Sequence, residues 1–64
     1  MIKFKFAVGE HVAIHGGPFY GENGKIVEHL SSSDRPVYAV KIITGPYRDQ
    51  RGSTVIAETD LRAE

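Results

Sequence analysis

The stretch Val12–His29, VAIHGGPFYGENGKIVEH, sets two short apolar runs on either side of Gly16-Gly17-Pro18-Phe19, Gly21 and Asn23-Gly24. Pro18 fixes φ near −65° and suits the second position of a turn. Gly16 and Gly17 allow a positive φ or a close backbone approach. Asn23-Gly24 ahead of an apolar run is a reversal signal. The spacing predicts two strands joined by a glycine-rich turn whose structural residues are Gly17, Pro18, Gly21 and Gly24. Phe19 and Tyr20 fall in mid-turn, where one is expected to plug the end of the sheet and the other to be exposed.

Outward from this turn the pattern stays strand-like. Val12 and Ile14 alternate with His11, Ala13 and His15. Lys25 to Leu30 reads as the next strand, with Ile26, Glu28 and Leu30 on one face and Val27 and His29 on the other. Residues 31–36, SSSDRP, read as a loop. Val37 to Ile43 is the longest apolar run, β-branched as a central strand requires. Gly45 to Gly52 reads as a second polar turn, and Ser53 to Ala57 as a further strand. Thr59-Asp60-Leu61 suits a single helical turn leading into a short last strand. At the N-terminus, Ile2, Phe4 and Phe6 alternate with Lys3 and Lys5, as in an edge strand or a partner-seeking arm. A small core needs all its large apolar groups, so Phe4 and Phe6 are expected to close it. The two lysines would then protect an edge.

No segment carries the 3.6-residue period of a long helix. Short strands at close spacing argue for an all-β barrel or sandwich. At 64 residues, a barrel of five to six strands is the economical way to hide sheet edges. Residues 1–64 make one domain, with 1–6 as its edge strand or arm. A chain this short buries only about 60% of its unfolded surface. There are no cysteines, hence no disulfide and no Cys-based zinc site. No apolar run reaches the roughly 20 residues of a membrane-spanning helix. Lys3 and Lys5 interrupt the N-terminal apolar stretch, which makes it a poor signal peptide, and Met1 reads as a natural start. These features point to a soluble cytoplasmic chain.

An internal echo links the two turns. The pattern V-x-I-x-x-G-P-F-x-x-x-x-G-x-x-V, from Val12 to Val27, recurs from Val40 to Val55 with Tyr47 in place of Phe19. Either two equivalent loops form a paired surface, or two hairpins converge on the same turn chemistry.

The residues Gly9-Glu10-x-Val12-x-Ile14-x-x-Gly17-Pro18-Phe19-x-Gly21-x-x-Gly24-x-Ile26 resemble the KOW motif. That motif occurs in SH3-like barrels of NusG-type elongation factors and of several ribosomal proteins. The resemblance spans Gly9 to Glu28, under a third of the chain, and the acidic-Leu ending Glu58-Thr59-Asp60-Leu61 is compatible with it. It implies an SH3-like barrel that binds RNA, a ribonucleoprotein or a protein partner without catalysis. Where the family frequently has a basic residue, this chain has Tyr20. A fainter likeness, from Gly9-Glu10-His11-Val12 through Tyr38-Ala39-Val40, is to the small plasmid-encoded dihydrofolate reductases, which work as oligomeric barrels. Their Val-Gln-Ile-Tyr pore motif is absent; Gly52-Ser53-Thr54-Val55-Ile56 stands there instead.

Charge narrows the choice of partner. Eight Lys and Arg balance eight Asp and Glu, so nucleic-acid binding would need a local basic patch. The richest candidates interleave aromatics with bases: Phe19, Tyr20 and Lys25 at the first turn, Tyr47, Arg48 and Arg51 at the second. Stacking rings flanked by Arg or Lys make a single-strand platform. Glu22 and Asp49 oppose that potential. His11 and His15 share a strand face but sit roughly 13 Å apart, too far for one ion, and His29 could add only a second ligand across from one of them. Ser31–Ser33 lack a nucleophile elbow. No catalytic, metal or cofactor site is expected. The reading is a binding module for RNA or a ribonucleoprotein. The alternative is a protein-interaction or assembly module, such as a subunit barrel or a phage accessory protein, and a homo-oligomer through an exposed edge or the N-terminal arm stays open.

Overall fold

The computed structural model describes residues 2–48 and 51–64. Five antiparallel strands form a single sheet: β1 (His11–Ile14), β2 (Asn23–Ser32), β3 (Arg35–Ile42), β4 (Thr54–Ala57) and β5 (Leu61–Ala63). Their spatial order is β4-β3-β2-β1-β5. The outer strands β4 and β5 share no ladder, so the sheet is unclosed. Short 3-10 turns at Gly45–Tyr47 and Glu58–Asp60 are the only helical pieces among the described residues, and no helix there is long and apolar enough to cross a membrane. The strand count, the central place of the Val37–Ile42 run and the helical turn before a short last strand agree with the sequence reading.

Side-chain alternation builds the core. Val12 and Ile14 of β1, Ile26 of β2, Tyr38, Val40 and Ile42 of β3, Ile56 of β4 and Leu61 of β5 are buried in one cluster with Phe6. Each large apolar group so buried stabilises by about 1.5–3 kcal/mol. Gly24 also lies inside, in β2 opposite Ile42, where a Cβ would strike the Val40 side chain.

Four sequence expectations need correction. First, the loop expected over residues 31–36 is a tight hairpin. Ser31 pairs with Pro36 and Ser32 with Arg35, leaving Ser33 and Asp34 as a two-residue turn. Both have positive φ (50° and 63°), as a type I′ turn requires. Pro36 is tolerated because β4 stops short of it and β3 there has β2 as its only neighbour.

Second, β2 does not keep one phase. Ile26 pairs with Val40 but Glu28 pairs with Ala39, so Val27 is the extra residue of a β-bulge. The bulge puts His29, opposite Tyr38, on the face of Ile26 and turns Glu28 and Leu30 to the other. Simple alternation had it the other way round. Third, Ile2 to Phe6 joins no ladder, although Phe6 is buried and Phe4 packs on the core as expected. Its lysines therefore guard no sheet edge. Fourth, Asn23-Gly24 is not a turn. Both residues lie inside β2, and Gly24 is small for contact with Val40 rather than for a positive φ.

Candidate functional site

The first turn, residues 15–22, consists of two consecutive reversals. Tyr20 N–H donates to Gly17 O (3.2 Å), closing Gly17-Pro18-Phe19-Tyr20 with Pro18 in second place. Glu22 N–H then donates to Phe19 O (3.1 Å), closing Phe19-Tyr20-Gly21-Glu22. Gly21 takes the third position at φ 90°, which a type II turn gives to glycine. Gly17, Pro18 and Gly21 therefore hold the places expected of them.

The second turn repeats the first reversal. Arg48 N–H donates to Gly45 O, Pro46 stands second, and Gly45 has φ 64° against 81° at Gly17. The echo is thus a repeat of geometry as well as of letters, up to the aromatic. Beyond it the copies part, for Gly24 is a buried strand residue while Gly52 has φ 85° and an open flank.

The repeated aromatics meet. Phe19 and Tyr47 pack edge to face with ring centroids 5.0 Å apart, both half-buried over one end of the core. This arrangement suits the opposed charge distributions of ring face and ring edge. A polar brace holds the turns together: Asn23 N–H donates to Thr44 Oγ1 (2.8 Å), and Thr44 Oγ1 donates to Glu22 Oε1 (2.8 Å). The Glu22 carboxylate lies so close to Gly45 that a Cβ there would collide with it.

The expected binding residues divide among surfaces. Phe19, Tyr47 and Arg51 line one recess with Val40, Ile42 and Thr54. Arg48 follows Tyr47 directly and is exposed. Tyr20, 73% exposed, points elsewhere and lines a second recess with His15, Glu22 and Arg62. Lys25 lies on the outer face of β2, between His11 of β1 and Lys41 of β3. So Phe19 is the plug and Tyr20 the exposed ring, while Tyr20 and Lys25 stand apart from the recess. Asp49 lies outside the described residues.

At the opposite end of the core is a group that the motifs did not signal. Tyr38 Oη donates to Glu58 Oε1 (2.6 Å) and accepts from Phe6 N–H (3.1 Å). Lys5 N–H donates to the same Glu58 oxygen (2.9 Å). His29 Nε2 donates to Phe6 O (2.6 Å), since a carbonyl can only accept, and its ring stacks on Phe4 at 4.3 Å. Phe4 and Phe6 each meet the Tyr38 ring edge to face. Burial, then the bond to Glu58, pushes the Tyr38 hydroxyl above the usual tyrosine range. The Tyr38 hydroxyl, then Lys5 N–H, holds the Glu58 carboxyl below its usual range. Tyr38 therefore stays protonated and Glu58 ionised across neutral pH. A buried tyrosine and a glutamate twenty positions later are the only sequence trace of this clasp.

His29 lies across from Tyr38 and not from His11 or His15, so the two-ligand arrangement entertained from sequence does not form. Among the described residues, no three His, Cys, Asp or Glu side chains converge as metal ligands would. Comparison of the chain with protein-family models, with curated proteins and with solved structures gives no match.

Proposed function

We propose that the chain is a non-enzymatic binding module, a small SH3-like barrel of the KOW type, whose two Gly-Pro-aromatic turns together contact single-stranded RNA or a ribonucleoprotein. Topology supports the barrel. The outer strands β4 and β5 are joined by the three residues Glu58–Asp60. A flat five-stranded sheet would hold them about 19 Å apart, whereas three residues of 3-10 helix rise only about 6 Å. The sheet has to curl for that connection to reach.

The observation that carries the binding reading is the Phe19–Tyr47 contact with Arg51 lining the same recess. Rings supply stacking faces for bases, and Arg48 and Arg51 supply cations for phosphate. Two such contacts predict a salt slope of only about −1.4 on single strands, modest enough for a net-neutral chain. Replacing both arginines (Arg48→Ala with Arg51→Ala) is expected to weaken binding of a mixed pool of short single-stranded RNA about tenfold at low salt, with an unchanged circular dichroism spectrum. Unchanged affinity would remove the site.

One feature favours a second reading, a protein-interaction module. The free side of β4 is flanked by recesses lined by Gly16, Pro18, Ala57 and Thr59. That reading predicts binding nearly independent of salt.

A further inference from the structure

The charges of this neutral chain are unevenly placed. Together the five strands hold Lys25, Arg35, Lys41 and Arg62 against a single acid, Glu28. Strand register gathers three of these cations on one part of the outer face. His11 of β1, Lys25 of β2 and Lys41 of β3 stand side by side, while their neighbours Val12, Ile26, Val40 and Ile42 point into the core. Like charges directly opposed across a ladder are destabilising, so strand pairing alone does not favour Lys25 opposite Lys41. The next row on the same face runs Arg62, Ala13, Asn23 through β5, β1 and β2. Neither Lys25 nor Arg62 has an ion-pair partner among the described residues, and both are exposed.

This second row carries the recess of Tyr20, which Ala13, Asn23, Arg62 and His15 also line. Tyr20 takes the second position of the Phe19–Glu22 turn, a place that does not call for an aromatic. Its ring is 73% exposed and stacks on no other ring among the described residues. Glu22, the acid of this recess, accepts from Thr44 Oγ1. We propose that the outer face is a second contact for the RNA strand, in which a base stacks on Tyr20 and Arg62 and Lys25 hold separate phosphates. The inference rests on the RNA reading above. Two strand spacings and two residues set Lys25 and Arg62 about 12 Å apart at Cα, too far for one phosphate. Lys41 raises the positive potential beside Lys25. Phe19 and Tyr20 are consecutive, so a strand that crosses the first turn reaches both recesses.

The test is the salt dependence of binding to the same pool of short single-stranded RNA. The two turn arginines alone give a slope of about −1.4, and adding Lys25 and Arg62 makes it about −2.8. Lys25→Gln with Arg62→Gln keeps the stems, removes both charges, and is expected to return the slope to about −1.4 with an unchanged circular dichroism spectrum. Tyr20→Ala is expected to weaken binding at least about fivefold without changing the slope. A parent slope near −1.4, or one that the double variant leaves unchanged, overturns the outer contact and leaves the turn site standing. So does full affinity in Tyr20→Ala. A chain that binds no RNA overturns both.

Discussion

The two ends of the core are closed by different means. At one end Tyr38, Glu58 and His29 clasp the backbone of Lys5 and Phe6 by hydrogen bonds between distant parts of the chain. At the other, Phe19 and Tyr47 meet ring to ring on two turns built from the same local formula. The first end ties distant segments of the chain together through hydrogen bonds. The second leaves half-buried rings beside exposed arginines. The contrast separates a structural end from a presenting end, and each variant below is aimed at that distinction.

Phe6→Ala should have the largest effect. The ring is 1% exposed, and its removal costs about 3–5 kcal/mol, a large share of the roughly 3–10 kcal/mol expected for a chain of this length. Phe19→Ala should cost only about 1–2 kcal/mol, because the ring is half-buried to begin with. Chemical denaturation of both variants checks the pair; equal losses would abolish the distinction between the ends.

Tyr38→Phe comes next, at about 1–3 kcal/mol, since it leaves Phe6 N–H without its acceptor and Glu58 without its strongest donor. It should also change the pH profile. The Glu58 carboxyl is lowered in the folded state, so its contribution is present above the ordinary glutamate value and lost as pH falls through the lowered one. The Tyr38 hydroxyl is raised, so its contribution holds below the ordinary tyrosine value and is lost as pH rises through the raised one. Thermal melts across the acid and alkaline ranges should show both losses in the parent chain and a weaker acid loss in Tyr38→Phe. Identical acid limbs would mean that the clasp is not linked to Glu58.

A smaller change in the opposite direction is expected at the β2–β3 turn. Ser33 and Asp34 occupy positive φ, where Asn and Gly are at ease. Ser33→Asn with Asp34→Gly should stabilise by about 0.5–1 kcal/mol, read from the denaturation midpoint. A loss would show that the hairpin does not use a type I′ turn.

The comparison also explains what could be read from sequence. The presenting end was legible because its devices are local: Gly17-Pro18-Phe19 and Gly45-Pro46-Tyr47 each close a bond within four residues. Even there the pattern misplaced Gly24, whose glycine answers to Val40 across the sheet, and it grouped Tyr20 and Lys25 with a recess they do not reach. The structural end was hidden because its partners lie far apart in the chain. A single extra residue at Val27 reverses the facing of everything after it, and so brings His29 to Tyr38. Alternation cannot announce such a bulge. The Ser-rich run looked like a loop for a similar reason, since strand pairing overrode local preference up to Ser32 and from Arg35.

The most direct test of the proposed function is a titration of isotope-labelled protein with short single-stranded RNA, followed by amide chemical shifts at low and at high salt. The account predicts shifts at Phe19, Tyr47, Arg48 and Arg51 that fade with salt, while Lys5, Phe6 and His29 stay unmoved. Shifts centred on the Tyr38–Glu58 clasp, or a spectrum that RNA leaves unchanged, would contradict it.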